Sequence, residues 1–130
     1  MFTNITENEN PYKKISILLS QIQPLVRIQI LFIIARDETC VCHIESILNI
    51  RQAAISQHLM ALREAGLVIT RRAGRHIYYR LANLGIIDLL HHAARVLNIS
   101  ETSLLQLSLR PYPGCTCPQC IPNPDGKPGC

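Results

Sequence analysis

Apolar residues return at helical spacing through most of the chain, and the breaks between runs carry turn chemistry. Ile15, Leu18, Leu19 and Ile22 make one stripe, which predicts a helix from Pro11, a residue tolerated in a first turn, to about Ile22. Asn8 to Asn10 form its polar lead-in. Gln23-Pro24 interrupts the pattern, since the residue before a proline is pushed out of the α region. A second helix is expected from there, with Leu25, Ile28, Leu31, Phe32 and Ala35 facing the core. Asp37-Glu38-Thr39 offers acids and a cap for a third helix, and Cys40 is expected in its first turn. Ile47, Leu48 and Ile50 close that helix, and Asn49-Ile50-Arg51 reads as a turn. Gln52 to Gly66 then writes a fourth helix, with Ile55, Leu59 and Leu62 on one face and Gly66 as a left-handed stop. Val68 to Arg72 and Ile77 to Leu81, β-branched or aromatic, flank Ala73-Gly74 and predict a hairpin. Helix, tight turn, helix and hairpin make a winged helix-turn-helix, so the expected fold class is mainly α with one β-hairpin.

After the hairpin, Asn83 can cap a helix carrying Leu84, Ile86, Ile87, Leu89, Leu90, Ala93, Ala94, Val96 and Leu97, a stripe too wide for one neighbour. The surplus face suits a seam between two subunits. Ser100 to Leu109 holds four more leucines, as a short helix or an extension. From Pro111 the composition changes: six of the eight prolines lie in the last 20 residues, which predicts a tail without regular structure of its own. The expected organisation is a lead-in over 1–10, one winged DNA-binding and dimerisation domain over 11–109, and a flexible Pro/Cys-rich tail over 110–130.

Composition sharpens this picture in two ways. Hydrophobic content of 48% against 17% charged residues is high for 130 residues and again predicts apolar surface buried in a homodimer. No apolar run is long enough to span a bilayer, and Met1 to Asn10 is polar and acidic rather than a signal peptide, so a cytoplasmic protein without membrane contact is expected. Charge is uneven: the net +4 conceals a window from Arg51 to Arg80 with six arginines against the single acid Glu64. A basic stripe over a helix-turn-helix and wing is what neutralising duplex phosphates requires. With Ile55, Leu59 and Leu62 inward, Ala53, Gln57, Met60 and Glu64 must point outward, with Ser56 on the flank. Gln52, Ser56 and Gln57 can hydrogen-bond base edges or phosphates, Ala53 can touch a thymine methyl, and Arg71, Arg72 and Arg75 can reach phosphate or the minor groove. His58 is placed on the core flank as a packing or hydrogen-bonding histidine.

The remaining chemistry is thiol chemistry. Cys40 and Cys42 stand one residue apart, and the tail carries Cys115, Cys117, Cys120 and Cys130. Thiolates are soft donors and select soft cations. On an ideal helix Cys40 and Cys42 lie about 200° apart, so they share an ion only if that first turn is distorted. A 20-residue flexible chain spans ~5–6 Å × √n, on the order of 25 Å, so the tail can arrive at Cys40 from either subunit. Four arrangements stay open: a shared site for a soft ion, a tail-only site, a redox or persulfide switch that oxidises Cys42 against a tail cysteine, and a structural or vestigial cysteine set. Catalysis is not expected: there is no glycine-rich phosphate loop, and sequence neighbours such as Cys42 and His43 point to different sides of a helix.

Cys40-Val41-Cys42-His43-Ile44, Ser56-Gln57-His58-Leu59, Leu62-Arg63-Glu64-Ala65-Gly66-Leu67-Val68 and Arg75-His76-Ile77-Tyr78-Tyr79-Arg80-Leu81 occur in an order and spacing that resembles the ArsR/SmtB family of metal-responsive repressors, over roughly Pro24 to Leu97. The resemblance implies a homodimeric winged-helix repressor that leaves double-stranded operator DNA when a thiophilic metal or metalloid binds. No cofactor would be permanently bound; the inducer would be trivalent arsenic or antimony, or cadmium, lead or zinc. It also implies that the first and last helices pair across the dimer. Two departures matter. The arsenic-responsive type has a third cysteine one turn after the Cys-Val-Cys pair, where this chain has Glu45, and the cadmium and lead type uses N-terminal cysteines that are missing here. A metal set of Cys40 and Cys42 completed by Cys115, Cys117 and Cys120 is therefore expected. Asp88-x-x-His91 lacks the spacing of the family's zinc site on the last helix, and His91 and His92 read as solvated or stacking side chains.

Overall fold

The computed structural model describes residues 10–108. Along the chain the elements are α1 (Pro11–Ile22), α2 (Leu25–Ile34), β1 (Thr39–Cys40), α3 (Val41–Leu48), α4 (Gln52–Glu64), β2 (Val68–Ala73), β3 (His76–Leu81), α5 (Gly85–Val96), α6 (Glu101–Leu104) and a 3-10 turn over Leu105–Ser108. This is a winged helix-turn-helix, mainly helical as expected, although its sheet has three strands rather than two. The order is β1-β3-β2, antiparallel throughout.

The helix boundaries follow from local chemistry. Asn10 caps α1, its side-chain oxygen accepting from the Tyr12 and Lys13 amides at 2.9 and 3.4 Å, with Pro11 in the first turn. The break at Gln23-Pro24 is real but arises differently from the expectation. Gln23 remains in the α region, and Pro24 itself turns extended (φ −55, ψ 133), its carbonyl accepting from Arg27 and Ile28 to start α2.

Five consecutive residues of α2, Ile30 to Ile34, are buried, so the second half of this helix is apolar on all sides and lies in the core. The one-faced assignment was too narrow: Leu25 is 70% exposed, while Ile30, Ile33 and Ile34 are buried. Against α2 pack α4, α5 and the 3-10 turn. From α4 come Ile55, Leu59 and Leu62, all fully buried, each contributing about 1.5–3 kcal/mol of apolar transfer. Asn49 ends α3 in the left-handed region (φ 53), and Gly66 (φ 77) ends α4. The latter is a Schellman closure, with Leu67 N–H donating to the Leu62 carbonyl and Gly66 N–H to that of Arg63, both at 3.0 Å. The wing reverses through Gly74 (φ 62) between the paired residues Ala73 and His76. Asn83 accepts from the Gly85 amide at 2.8 Å just ahead of α5, but the cap position of that helix is Leu84, which makes no side-chain cap bond.

Apolar surface is left over. Ile15 and Leu19 of α1 are 57% and 46% exposed, and Leu84, Val96 and Leu97 around α5 are 66%, 82% and 68% exposed. Among the described residues no single helix is long and apolar enough to cross a membrane.

Candidate functional site

Cys40 is not in the first turn of a helix. It is the extended residue that caps α3 (φ −83, ψ 160) and is also the last residue of β1, paired with Tyr78 of β3. The Asp37-Glu38-Thr39 cap is not formed: α3 has no side-chain cap, because Thr39 lies in the strand and its hydroxyl donates to the Asp37 carbonyl. The strand-to-helix corner removes the 200° separation of an ideal helix, and the Cys40 and Cys42 sulfurs lie 3.0 Å apart without any distortion of the helix. Cys42 is disulfide-bonded, whereas Cys40 retains its thiol. Cys115, Cys117, Cys120 and Cys130 lie outside the described residues.

A third donor joins the pair from the wing. His76, the first residue of β3, brings a ring nitrogen into a group with the two sulfurs in which all three atoms lie within 4.8 Å of one another. Its Nε2 is buried and makes no hydrogen bond. Sequence reasoning passed over His76. Strand alternation alone gives no reason to aim it at Cys40, since the strand that brings Cys40 to the sheet is only two residues long.

The three donors line a cleft of about 370 Å³ that also takes in Glu45, Gln52 and Ser56 at the start of α4, and Arg75 in the wing turn. Thus three of the expected DNA-contacting residues share one cleft with the thiols. The others are spread around it: Ala53 and Gln57 are exposed on α4, and Arg72 is exposed on β2. Arg71 is differently held. Its guanidinium makes a two-point ion pair with Glu38, with Nε donating to Oε2 at 3.0 Å, and lies over the Tyr78 ring at 5.0 Å. The hydrogen bonds from Arg71 hold the Glu38 carboxyl below the usual carboxylate range.

His58 behaves as expected of a hydrogen-bonding residue on the core flank. Its Nδ1 accepts from Arg27 Nε at 3.2 Å, which places the proton of the neutral ring on Nε2, and Arg27 also donates to the Gln21 carbonyl at 2.9 Å. Burial first, then the Arg27 charge, pushes the imidazole below its ordinary pKa. His91 stands edge-on to Phe32 with ring centroids 5.6 Å apart, and His92 is exposed beside Arg95. Among the described residues, Cys40, Cys42 and His76 are the one group of three or more His, Cys, Asp or Glu gathered closely enough to hold a metal ion.

Comparison with known proteins places this geometry. The model of the family "Bacterial regulatory protein, arsR family" matches residues 26–70, from α2 into β2. The arsenic resistance transcriptional regulator ArsR1 of Pseudomonas putida is 46% identical over 56 residues, 42% of this chain and 44% of that protein. The chain spans about half the length of several such relatives. The transcriptional activator HlyU of Vibrio cholerae is 36% identical over 91 residues, and its solved structure superposes with a TM-score of 0.62, covering 68% of this chain and 96% of that one at 32% identity. A homodimeric winged helix-turn-helix DNA-binding domain from Mycobacterium bovis, described as a possible ArsR-family regulator, gives a TM-score of 0.65 at 26% identity, covering 75% and 91% of the two chains. These relatives are named as transcription regulators, not enzymes. With HlyU matched over 84% of its length, and the family model lying on the helix-turn-helix itself, the chain belongs to the arsR family of bacterial regulatory proteins.

Proposed function

We propose that this chain is a homodimeric, DNA-binding transcriptional repressor that leaves its operator when a soft metal or metalloid ion binds thiolates at Cys40 and Cys42. One observation carries this reading: the two sulfurs open into the same cleft as Gln52, Ser56 and Arg75, so an ion held there acts directly on the DNA-reading face. The basic window from Arg51 to Arg80 supplies phosphate contacts, and the exposed apolar residues of α1 and α5 supply the subunit seam. A relative named for arsenic resistance and one described as a homodimeric DNA-binding domain support both halves. Gln52, Ala53, Ser56 and Gln57 read the major groove, and Arg72 and Arg75 lead the wing's contacts, because Arg71 is engaged by Glu38. Cys115, Cys117 and Cys120 are the further thiolates, which trivalent arsenic or antimony would need.

The test is release of a labelled operator duplex, followed by anisotropy, during titration of the reduced protein with arsenite, antimonite, cadmium, lead and zinc. Release by at least one ion in the intact chain, lost in Cys42→Ser, is the expected result. Unchanged DNA affinity with all five would overturn the reading.

A second reading rests on the Cys42 disulfide itself, with the Cys40 thiol 3.0 Å away. The disulfide would be the oxidised form of the switch: a peroxide takes the two electrons and both thiol protons and leaves as water while the bond to Cys42 forms, and the Cys40 thiolate can reopen that bond by exchange, so the switch would be thiol oxidation rather than ligation. Release by a peroxide or persulfide donor, reversed by a dithiol and insensitive to metal ions, would select it.

A further inference from the structure

From the cluster at the strand-to-helix corner, we infer that His76 of the wing is a metal ligand, forming with Cys40 and Cys42 a Cys2His site for a divalent zinc-class cation. The inference rests on the proposed ion-responsive reading and names the ion class of that site. Three facts converge. The two sulfurs and a ring nitrogen lie within 4.8 Å of one another, His76 Nε2 is buried with no hydrogen bond, and the group opens into a cleft rather than into the core. A buried ring nitrogen with no partner is costly to keep unless something binds it.

The donor set selects the ion. Two thiolates and one neutral imidazole are a recurring zinc set, leaving one tetrahedral position for water or a further thiolate. Trivalent arsenic takes thiolates, and imidazole is the wrong donor for it; imidazole suits zinc and its neighbours in the first transition row. Ligation needs Cys42 as a thiolate. A phosphine reductant reduces the Cys42 disulfide with two electrons and leaves as the phosphine oxide, with water supplying the oxygen and the two thiol protons. Cys40 and Cys42 then give their protons to solvent as the cation binds.

The consequence is mechanical. His76 follows Arg75 in the wing, while Cys40 and Cys42 straddle the start of α3, so a bound cation ties the wing tip to the helix-turn-helix within one protomer. Arg75, Gln52 and Ser56 line the same cleft, so the cation's charge and any movement of the wing act on them directly.

The experiment is a titration of the full-length, phosphine-reduced protein with cobalt(II), then displacement by zinc. One equivalent per chain should give the visible bands of tetrahedral cobalt with sulfur-to-cobalt charge transfer. His76→Ala should weaken binding by more than the 10–100-fold typical of losing an outer-shell partner. His76→Cys should restore tight binding, strengthen the charge-transfer band, and turn preference toward arsenite. In wild-type protein labelled with nitrogen-15 at histidine, zinc should move one ring nitrogen of His76, a readout independent of any variant's folding. If wild type binds cobalt and releases DNA but His76 resonances do not move and His76→Ala gives the same spectrum, His76 is no ligand while the ion-responsive reading stands. If wild type binds none of cobalt, zinc, cadmium, lead, arsenite and antimonite, both fall together.

Discussion

The ion pair between Glu38 and Arg71 divides the wing's arginines into engaged and available charges, and the division can be measured on random duplex DNA. Arg71 spends its guanidinium on the two Glu38 oxygens and on the Tyr78 ring, whereas Arg72 is exposed and makes only a 3.5 Å contact to the Gly74 carbonyl. Each phosphate neutralised by a cationic side chain releases condensed counterions and contributes about 0.9 to the slope of log affinity against log salt. Arg72→Ala should therefore flatten the slope by about 0.9 for each protomer on the duplex, which over a fourfold rise in salt amounts to roughly a 3.5-fold difference in affinity per protomer. Glu38→Gln should act in the opposite sense. It frees Arg71 and removes a negative charge beside the wing, so the slope should steepen by about 0.9. The double variant Glu38→Gln, Arg71→Ala removes one charge of each sign and should return the slope to that of wild type.

Fluorescence anisotropy with a labelled duplex, repeated across potassium chloride concentrations, reads these slopes directly. The reasoning fails if the double variant shows a slope about 0.9 flatter than wild type, because Arg71 would then already be contacting phosphate despite Glu38. It fails equally if Glu38→Gln changes nothing.

Readout should separate from charge: Gln57→Ala is expected to cost on the order of 1–3 kcal/mol on the operator and much less on random DNA, and equal losses in parallel titrations would move Gln57 to the backbone-contacting set. Stability should fall on acidification through His58. Its folded pKa is lowered, so below roughly pH 6.5 the unfolded chain takes up the proton first, and the stabilisation of the neutral ring is lost until the folded-state pKa is passed. Urea unfolding at pH 8 and pH 5.5 should show a smaller pH effect in His58→Gln, and an identical loss in both proteins would dismiss the assignment. Cys42→Ser should bind DNA like wild type yet ignore inducer, and a chain ending at Tyr112 should respond weakly or to a different ion; release at the same arsenite or cadmium concentration as the intact chain would remove the tail from the switch.

Local periodicity was a good guide wherever one face decides the burial. The buried set Ile55, Leu59 and Leu62 of α4 fixed the opposite face, and Ala53, Gln57, Met60 and Glu64 are all exposed as required. Asn49 and Gly66 announced themselves as chain reversals because both occupy the left-handed region. Periodicity fell short at α2 because its second half, Ile30 to Ile34, is enclosed on all sides and has no polar face to set the phase, so the expected core does not include Ile30, Ile33 and Ile34. It failed again at β1, where Thr39 pairs with Tyr79 and Cys40 with Tyr78 across nearly forty residues of sequence. Two residues are too few to write an alternation, and what makes them a strand lies in β3.

That unread strand is also what would make the proposed site a switch rather than a pocket. Without β1, Cys40 would be one more helical residue turned away from Cys42, and His76 would have no thiol to meet. With β1, the thiol pair is fastened to the wing strand on one side and continues into the helix-turn-helix on the other. The fastening is weak enough to be worked by a ligand. Ladder hydrogen bonds contribute about 0.5–1.5 kcal/mol each, so releasing or re-seating a two-residue strand costs an amount comparable to the coupling of about 1–3 kcal/mol that lowers operator affinity 5–150-fold. The Glu38–Arg71 pair clamps the same junction, since Glu38 immediately precedes β1 and Arg71 lies in β2. A cation that draws Cys40, Cys42 and His76 together therefore pulls on a strap whose hold is of the same order as the response it must produce. Weakening the clamp with Glu38→Gln should lower the inducer concentration needed for half-release, even as it tightens DNA binding without inducer. A half-release concentration that only rises, in step with the tighter DNA binding, would separate the strap from the switch.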